Sequence, residues 1–477
     1  MGAATLVNRL RTAASLLKYR ADLWLPAYWR QQRAWRAQSA TCRGVVDVMV
    51  LVADHFEPAR SEGERGVERV REWCERYAAI VSSHRDSDGV APQHTWFYRY
   101  DYPNFDCIRI LSEYCYQGLG EIEFHLHHGH DSSEGFRQRL REGVAWFAGA
   151  GAMVSAEPDP RHYFAYVAGN WALDNGRRDA RYSGVNNELE LLREAGCYAD
   201  FTFPAFGCTA QPHMANCLYY ARDHPGPKSY DRGRPLRVGG ERWGDLLIFL
   251  GPLYIDWRAG HIEYASLEDF TPYHGRRCDY WLAAGVHVLG QPNWRFIKLH
   301  THAMQSRESF LGDQLHRLCA DLERRFGRDG YRLHYVTARE AYNIAKAAEA
   351  GEQGDAGGFR DYLLPPPANR RVHCNAPYRL HRYGVRGVEL EVLAPVRDSR
   401  VWLKDGPLAR VEGGRLRRLT LNLRQGHVEG LRLEGEGEVV LTYRHPGRPR
   451  LASVSERRRL PLRLSRQPPP RASSGSP

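Results

Sequence analysis

The amino-acid sequence predicts a mixed α/β fold: a distorted (β/α) barrel of seven or eight units, followed by a small antiparallel β domain. Short apolar runs alternate with segments of helical periodicity over residues 46–350, which is typical of right-handed βαβ units that share a parallel sheet. Polar clusters follow several of these runs, and a barrel of this kind carries its functional residues at the carboxyl ends of its strands. After residue 377 the pattern changes to short apolar–polar alternation, which indicates antiparallel strands with one solvated face.

The first predicted strand covers residues 46–53 (VDVMVLVA), an apolar run suited to burial on both faces. A helix is predicted after it at residues 62–82, where apolar residues recur at helical spacing. Further strands are predicted at residues 94–100, 121–125, 163–168, 199–204, 245–250 and 296–300, with residues 335–336 as a candidate for one more. Further helices are predicted at residues 107–118, 133–148 and 186–195.

Five segments are predicted along the chain. They are a basic amphipathic helical segment at residues 1–42, the barrel at 43–350, a linker at 351–376, the antiparallel domain at 377–447, and a disordered Arg/Pro/Ser-rich tail at 448–477. A chain of 477 residues can form one large and one smaller core, because single hydrophobic cores stop growing at about 250–300 residues.

The composition argues against several classes of protein. The net charge is +11 at pH 7, but no run of Lys and Arg alternates with aromatic residues, so no nucleic-acid partner is expected. The ten cysteines are scattered without a CxxC pair, which suits reduced thiols in a reducing compartment. The sequence shows neither a secretory signal nor an apolar stretch that would span a bilayer. We therefore expect a cytoplasmic protein.

Residues 1–40 combine leucines and tryptophans at roughly helical spacing with many basic side chains. Such a segment is typical of helices that lie in a membrane interface, and one interpretation is peripheral contact with the inner face of the membrane. A helix packed on the barrel with a solvated basic face explains the same pattern. The sequence leaves both interpretations open, and it leaves the oligomeric state open as well.

Polar clusters follow four of the predicted strands. They are Asp54-His55 with Glu57, residues 125–130 (HLHHGH), residues 169–174 (GNWALD), and His300 with His302. A lone histidine at a strand end is more often a hydrogen-bonded structural residue than a functional one. Three histidine-containing clusters at the same edge of a sheet indicate a shared site.

Imidazoles and a carboxylate in one site suit a divalent metal ion, and zinc with three protein ligands is the expected cofactor. Such an ion lowers the pKa of its bound water and polarises a carbonyl, so hydrolysis then needs only a nearby base and acid. Asp54 is the candidate base, and His300 or His302 is the candidate acid. The sequence contains no GxSxG and no P-loop motif, so neither a serine nucleophile nor nucleotide binding is expected.

Over residues 46–351 these motifs resemble those of the NodB-type polysaccharide deacetylases, the family four carbohydrate esterases. In that family the first strand ends in two aspartates, of which the first is the base and the second binds the metal. Residues 51–55 (LVADH) match this motif. The resemblance therefore implies that Asp54 is the base and that His55 stands at the position of the metal ligand.

The second family motif is a strand that ends in a histidine, with another histidine four residues later. His125 matches the first of these, but position 129 is glycine. His130 lies one residue late and is the expected second ligand, with His127 and His128 as alternatives.

The remaining motifs are matched in part. Residues 166–171 (YVAGNW) keep a glycine and an aromatic residue but lack the arginine of the family. In the last motif a leucine lines the acetyl pocket and a histidine acts as acid, which is matched by Leu299 and His300. The side chains expected to contact substrate are Asn170, Trp171, Asp174 and Leu299.

The resemblance implies removal of acetyl groups from amino sugars of a polysaccharide or its precursor, as in a divergent bacterial branch of the family, with carbohydrate as the substrate. Two alternatives stay open. One is a glycoside hydrolase on the same barrel that uses two carboxylates, for which the candidates are Glu57, Asp174, Asp200 and Asp256. The other is a carbohydrate-binding barrel without catalysis.

Overall fold

The computed structural model describes residues 13–40, 42–58, 63–155, 161–404, 406–443 and 454–463. These residues form a large, mainly parallel sheet of eleven strands, an antiparallel sheet of eight strands and a separate two-stranded hairpin. The predicted mixed α/β class with an antiparallel C-terminal β domain is therefore confirmed. No helix among the described residues has the length and apolar composition needed to cross a bilayer.

The first part of the chain alternates strands and helices. The strands are β1 (Val46–Phe56), β2 (His94–Arg99), β3 (Gly120–Leu126), β4 (Val154–Ser155), β5 (His162–Ala168), β6 (Cys197–Asp200), β7 (Cys217–Ala221), β8 (Arg234–Pro235), β9 (Leu246–Leu250), β10 (Tyr254–Asp256), β11 (His261–Glu263), β12 (Trp294–Thr301) and β13 (Tyr331–Tyr335). The α-helices of eight or more residues are α1 (Ala21–Ser39), α2 (Gly63–Val81), α3 (Phe105–Gln117), α4 (Ser133–Gly149), α5 (Glu188–Ala195), α6 (Arg276–Ala284), α7 (Leu315–Phe326) and α8 (Ala338–Ala350).

The large sheet has the strand order β12-β1-β2-β3-β5-β6-β9-β7-β8, and β13 also pairs with β1. Every pair from β12 to β9 is parallel, whereas β7 is antiparallel to both of its neighbours. Within the described ranges, β12 forms no ladder with the strands at the opposite end of this order. The parallel sheet is thus established, and its closure into a barrel stays a proposal.

The two faces of the large sheet carry separate apolar clusters. Met49, Leu51 and Ala53 of β1 pack in one cluster with alanines and Ile344 of α8; we call this side the inner face. The even-numbered valines of β1 pack in the other cluster with Trp73 of α2 and side chains of α3, α4 and α7; we call that side the outer face. Alternate residues of a strand point to opposite faces, so the inner face carries the odd-numbered residues of β1.

The C-terminal sheet consists of β14 (Val372–Cys374), β15 (Tyr378–Gly384), β16 (Gly387–Val392), β17 (Arg400–Leu403), β18 (Leu408–Glu412), β19 (Arg415–Arg424), β20 (His427–Tyr443) and β21 (Val454–Arg463). It has its own buried apolar cluster. The sheet begins inside the predicted linker, because β14 pairs with β17. β21 lies in the segment predicted to be disordered yet pairs with β20, so the prediction is wrong for these ten residues; the rest of that segment is outside the described residues.

A buried ion pair fixes α8 to the inner face of the large sheet. The helix begins with a capping box formed by Thr337 and Glu340. Arg339, in its first turn, has a 1% exposed side chain and donates hydrogen bonds to Glu121 of β3 at 2.8 and 3.1 Å. Arg370 donates a further hydrogen bond to the same carboxylate at 2.9 Å. Burial raises the pKa of Glu121, but the two guanidinium groups outweigh it and keep the pKa below its ordinary value.

We expect Arg339→Met to lower the free energy of unfolding by about 3 kcal/mol, because the buried Glu121 carboxylate loses one of its two cations. Urea denaturation followed by circular dichroism measures the change. Arg324→Met is the matched control, since Arg324 pairs with Asp321 at an exposed position and should cost about 1 kcal/mol or less. Equal losses in the two variants would contradict the anchoring role of Arg339.

Candidate metal centre

Five side chains from three strands converge at the carboxyl edge of the parallel sheet. β1 pairs with β12 with Ala53 opposite His300, and β2 joins β1 to β3. The carboxyl ends of parallel strands lie at one edge, where open sheets and barrels place their sites. The converging residues are His55 and Glu57 from β1 and the loop after it, His125 and His127 from β3 and its end, and His302 after β12.

Three of these side chains form a compact triangle of ligand atoms. Oε1 of Glu57 lies 3.1 Å from Nε2 of His125 and 3.1 Å from Nε2 of His127. The two Nε2 atoms are 3.0 Å apart. Zinc binds nitrogen and oxygen at about 2.0–2.2 Å in tetrahedral geometry, which separates its ligand atoms by roughly 3.3 Å. The triangle therefore has nearly the size of one face of a zinc tetrahedron.

Both histidines of the triangle are held through their second ring nitrogen. Nδ1 of His125 lies 2.8 Å from the Val167 carbonyl oxygen, to which it donates. This bond fixes the tautomer that leaves Nε2 unprotonated toward Glu57, as metal-ligating histidines require. The amide nitrogen Nδ2 of Asn170 lies 3.2 Å from Nδ1 of His127. With the amide turned over, its oxygen would accept from Nδ1 and orient that ring in the same way.

His302 belongs to a separate hydrogen-bonded pair beside the triangle. Its Nδ1 lies 2.8 Å from Oε1 of Glu268, which also accepts its backbone N–H at 2.8 Å. Ser306 donates its hydroxyl to the other oxygen of Glu268 at 2.7 Å. Burial lowers the pKa of His302, but the bond to Glu268 outweighs it and the pKa is raised. The ring of His55 lies 4.7 Å from that of His302 and 5.2 Å from that of His125.

The charges of the cluster suit a cation. Burial raises the pKa of Glu57, but the adjacent rings of His125 and His127 outweigh it and hold the pKa of its carboxyl far below its usual range. Burial, with His302 and His125 nearby, lowers the pKa of His55 well below its ordinary value. A carboxylate anion beside a neutral imidazole favours a divalent metal ion, which binds both groups in their deprotonated forms.

Asp54, the predicted base, lies on the outer face of the sheet. Its carboxylate is fully buried, with Oδ2 2.9 Å from Nε2 of His94 and Oδ1 accepting the Ala303 backbone N–H at 2.9 Å. The predicted strand stopped before Asp54, whereas β1 continues to Phe56. Because side chains alternate along a strand, Asp54 faces away from the cluster while His55 faces it.

The two residues predicted from the last motif also lie outside the cluster. Leu299 is fully buried in the apolar cluster of the outer face, so it does not line the site, for the same reason of alternation. His300 lies on the inner face beside the cluster and stacks on Tyr264 with ring centroids 6.0 Å apart. Burial lowers the pKa of His300 to about 3. Of the predicted acids, His302 is the one that the structure brings to the site.

His130, the second predicted ligand, is exposed and outside the cluster. Its backbone has a positive φ of 52°, and its N–H bonds to the Ala180 carbonyl, which turns this loop away from the sheet edge. His128 is buried against Glu188 and Asp131 in ion pairs at 3.3 and 3.4 Å. The structure therefore brings His127, rather than His130 or His128, to His125.

The residues predicted to contact substrate take different positions. Asn170 contacts the ring of His127, as described above. Trp171 is half-buried against the apolar cluster of the outer face. Asp174 is fully buried, and its two oxygens accept the backbone N–H groups of Glu188 and Ser229 at 3.2 and 2.6 Å. Asp174 therefore holds its loop in place instead of facing a substrate.

Sequence reasoning missed Glu268 altogether and did not assign a metal-binding role to Glu57. Glu57 carried a usable signal, because it lies two residues after His55 and so shares its direction if the strand geometry continues. Glu268 carried none, since it lies in an irregular loop 34 residues before His302. Its role follows only from the contact.

A further group at the site, His55, Glu57 and His302, shares Glu57 with the triangle, and two groups elsewhere in the described residues could also hold a metal ion. These two are Asp47, His334 and Asp355, and Asp86, Asp88 and His334. Arg332 donates to both oxygens of Asp47 at 2.8 and 3.0 Å, and Arg360 contacts Asp86 and Asp88 at 2.9 and 3.0 Å. Guanidinium groups thus lie 2.8–3.0 Å from the carboxylates of both groups, whereas Arg99 comes no closer than 3.5 Å to Oε2 of Glu57. The two groups therefore form a structural ion-pair network.

No protein-family model matches the chain, and no curated protein sequence matches it.

We expect purified protein loaded with zinc and then dialysed to keep about one equivalent. His125→Ala and His127→Ala should each keep almost none, because each removes one of the three ligands. Elemental analysis by mass spectrometry measures the content. His130→Ala, a matched change in the same loop, should bind as the unmodified chain does. Loss of metal in His130→Ala with retention in His127→Ala would contradict the assigned ligand set.

Proposed function

We propose that this protein is a metal-dependent hydrolase that removes acetyl groups from amino sugars of a polysaccharide or its precursor. The observation that carries the proposal is the triangle of Glu57, His125 and His127 beside the His302–Glu268 pair. Three ligands with an open position, next to a carboxylate-held imidazole, are the parts that hydrolysis of an acyl bond needs. The finer assignment to amino sugars comes from the motif resemblance at residues 51–55, 121–125 and 299–300.

Each side chain has a distinct role in this proposal. Glu57, His125 and His127 hold the ion, which when bound would lower the pKa of a water molecule and polarise the acyl carbonyl. His55, which the motif resemblance places at a metal-ligand position, is a buried neutral imidazole on the same edge and in this proposal accepts the proton of the attacking water. His302 donates a proton from Nε2 to the leaving nitrogen, and Glu268 holds its Nδ1–H so that Nε2 faces the site.

A glycosidase mechanism, which needs a pair of carboxylates, has less support. Asp200 is buried and accepts hydrogen bonds from the Thr202 hydroxyl and backbone at 2.6 and 3.1 Å. Asp256 accepts from Tyr280 at 2.7 Å and from the backbone of its own turn. With Asp174 engaged in its loop, Glu57 is the one carboxylate of the four candidates that lies in the cluster.

We further propose that the large sheet belongs to a distorted (β/α) barrel. Side chains from β1, β2, β5, β6, β9 and β12 share the inner apolar cluster. Lys298 of β12 donates to the carbonyl oxygens of Phe201, Phe203 and Phe249, at the ends of β6 and β9. These contacts link β12 to β6 and β9, with which it forms no ladder in the described residues, and so support closure of the sheet into a barrel.

Zinc-loaded protein should release acetate from oligomers of N-acetylglucosamine, and His302→Gln should lower kcat by about 100-fold or more because the leaving nitrogen loses its proton donor. Glu268→Gln should lower it by about 10- to 100-fold, since the ring of His302 is no longer held. Acetate is measured enzymatically, and zinc content is measured in the same samples. His302→Gln should keep its zinc; full turnover by metal-free protein would rule out the proposal.

Asp54→Asn should keep kcat within about tenfold of the unmodified chain, because Asp54 faces the outer side of the sheet. Removal of the general base of such a reaction would instead cost about 100- to 10,000-fold. The amide has nearly the shape of the carboxylate, and thermal unfolding checks that the variant is folded. Loss of turnover in a folded variant that retains its zinc would contradict this and indicate that Asp54 is the base.

A further inference from the structure

The N-terminal helix has an outer surface that the rest of the described chain does not cover. The inner side of α1 is closed, since Trp24 and Tyr28 are buried against Leu253, Ile255 and Ile262. On its other side the helix and the helical residues 13–18 line an open apolar cavity of about 590 Å³. Its lining includes Leu16, Leu17, Leu25, Pro26 and Trp29.

Large apolar side chains are exposed on this surface. Leu17 is 83% exposed and Trp29 is 43% exposed. Trp29 is held in place by stacking on Trp257, with ring centroids 5.8 Å apart and planes at 8°. An indole that is fixed and still half open to solvent is suited to the boundary between lipid headgroups and acyl chains.

The same surface carries positive charge without compensation. Arg30, Arg33 and Arg36 are exposed, and in the part of the chain that the structure describes they form no ion pair. Asp22, the single acidic residue within residues 1–40, is paired with Arg20 at 2.7 Å. Three unpaired arginines beside exposed leucine and tryptophan match an anionic lipid surface in both charge and polarity.

We propose that the outer surface of α1, with residues 13–18, docks on an anionic phospholipid membrane. The arginines contact the headgroups, and Leu17 and Trp29 enter the interface. Membrane docking does not require the proposed hydrolysis, so either proposal can fail alone.

The amino-terminal part of the docking surface lies near the candidate metal centre. The ring of Tyr19, between residues 13–18 and α1, lies 5.7 Å from that of Phe206 and 5.9 Å from that of Tyr264. Tyr264 stacks in turn on His300, beside the cluster. A membrane bound at residues 13–18 and the start of α1 would therefore lie near the edge of the sheet where the histidines converge.

Flotation of the full chain with vesicles tests the proposal. We expect binding to vesicles of phosphatidylglycerol and phosphatidylcholine in roughly equal parts and far weaker binding to pure phosphatidylcholine. Raising the ionic strength from about 0.05 to about 0.5 M should weaken the binding through charge screening. Arg30→Ala/Arg33→Ala/Arg36→Ala should weaken it by about 100-fold, at about fivefold for each arginine.

Two further variants make the result decisive. Arg415→Ala/Arg417→Ala/Arg424→Ala removes the same charge from exposed positions of the C-terminal sheet and should bind as the unmodified chain does. Leu17→Ser/Trp29→Ser should lower binding at both ionic strengths, with thermal unfolding as the check on folding. Equal losses in the two arginine variants, or no vesicle binding, would overturn the proposal. So would a dimer in lipid-free solution that Leu17→Ser/Trp29→Ser dissociates, because the surface would then serve a second copy of the chain.

Discussion

The candidate site depends on the parallel register of β1 against β12, in which Ala53 lies opposite His300 and Asp54 opposite Thr301. This register places His55 beside His302 across the strand pair. A slip of one residue would turn His55 and Glu57 to the outer face and Asp54 to the inner face, because a strand has a side-chain period of two. Every residue of β1 is buried, and its apolar side chains are divided between two clusters. The burial of both faces therefore sets the register that the site needs.

Polar groups inside the large sheet are placed where hydrogen bonds satisfy them, since an unpaired buried charge costs several kcal/mol, by order of magnitude. Glu121 meets Arg339 and Arg370 near the amino end of β3. Lys298 donates to three carbonyl oxygens below the carboxyl edge, with the nearby Asp200 supporting its charge, although burial lowers its pKa to about 7. The histidine cluster lies beyond these groups at the carboxyl edge, where Glu57 and His302 remain partly exposed. A rigid, satisfied interior thus supports a site open to solvent on one side.

Much of the fold could be predicted from sequence because its signals are local. The apolar run at residues 46–53 and the helical spacing at 133–148 each specify an element without reference to the rest of the chain. The site was harder, since its residues depend on where β1 ends and on how a loop turns. Because β1 continues to Phe56, His55 and Glu57 face the site in place of Asp54. The backbone turns at His130, where φ is positive, and His127 is the histidine that lies beside His125. Glu268 is positioned by a loop with no sequence periodicity, so only the three-dimensional contact identifies it.

The most direct test of the metal centre is anomalous X-ray scattering at the zinc edge from crystals of zinc-loaded protein. One strong peak is expected, about 2.0–2.2 Å from the Glu57 carboxylate and from Nε2 of both His125 and His127. The Nε2 atom of His302 should be free of the ion and directed to the open position. A peak bound by His55 and His302 without His125 and His127, or a peak confined to the Asp86–Asp88–His334 network, would contradict the proposed centre.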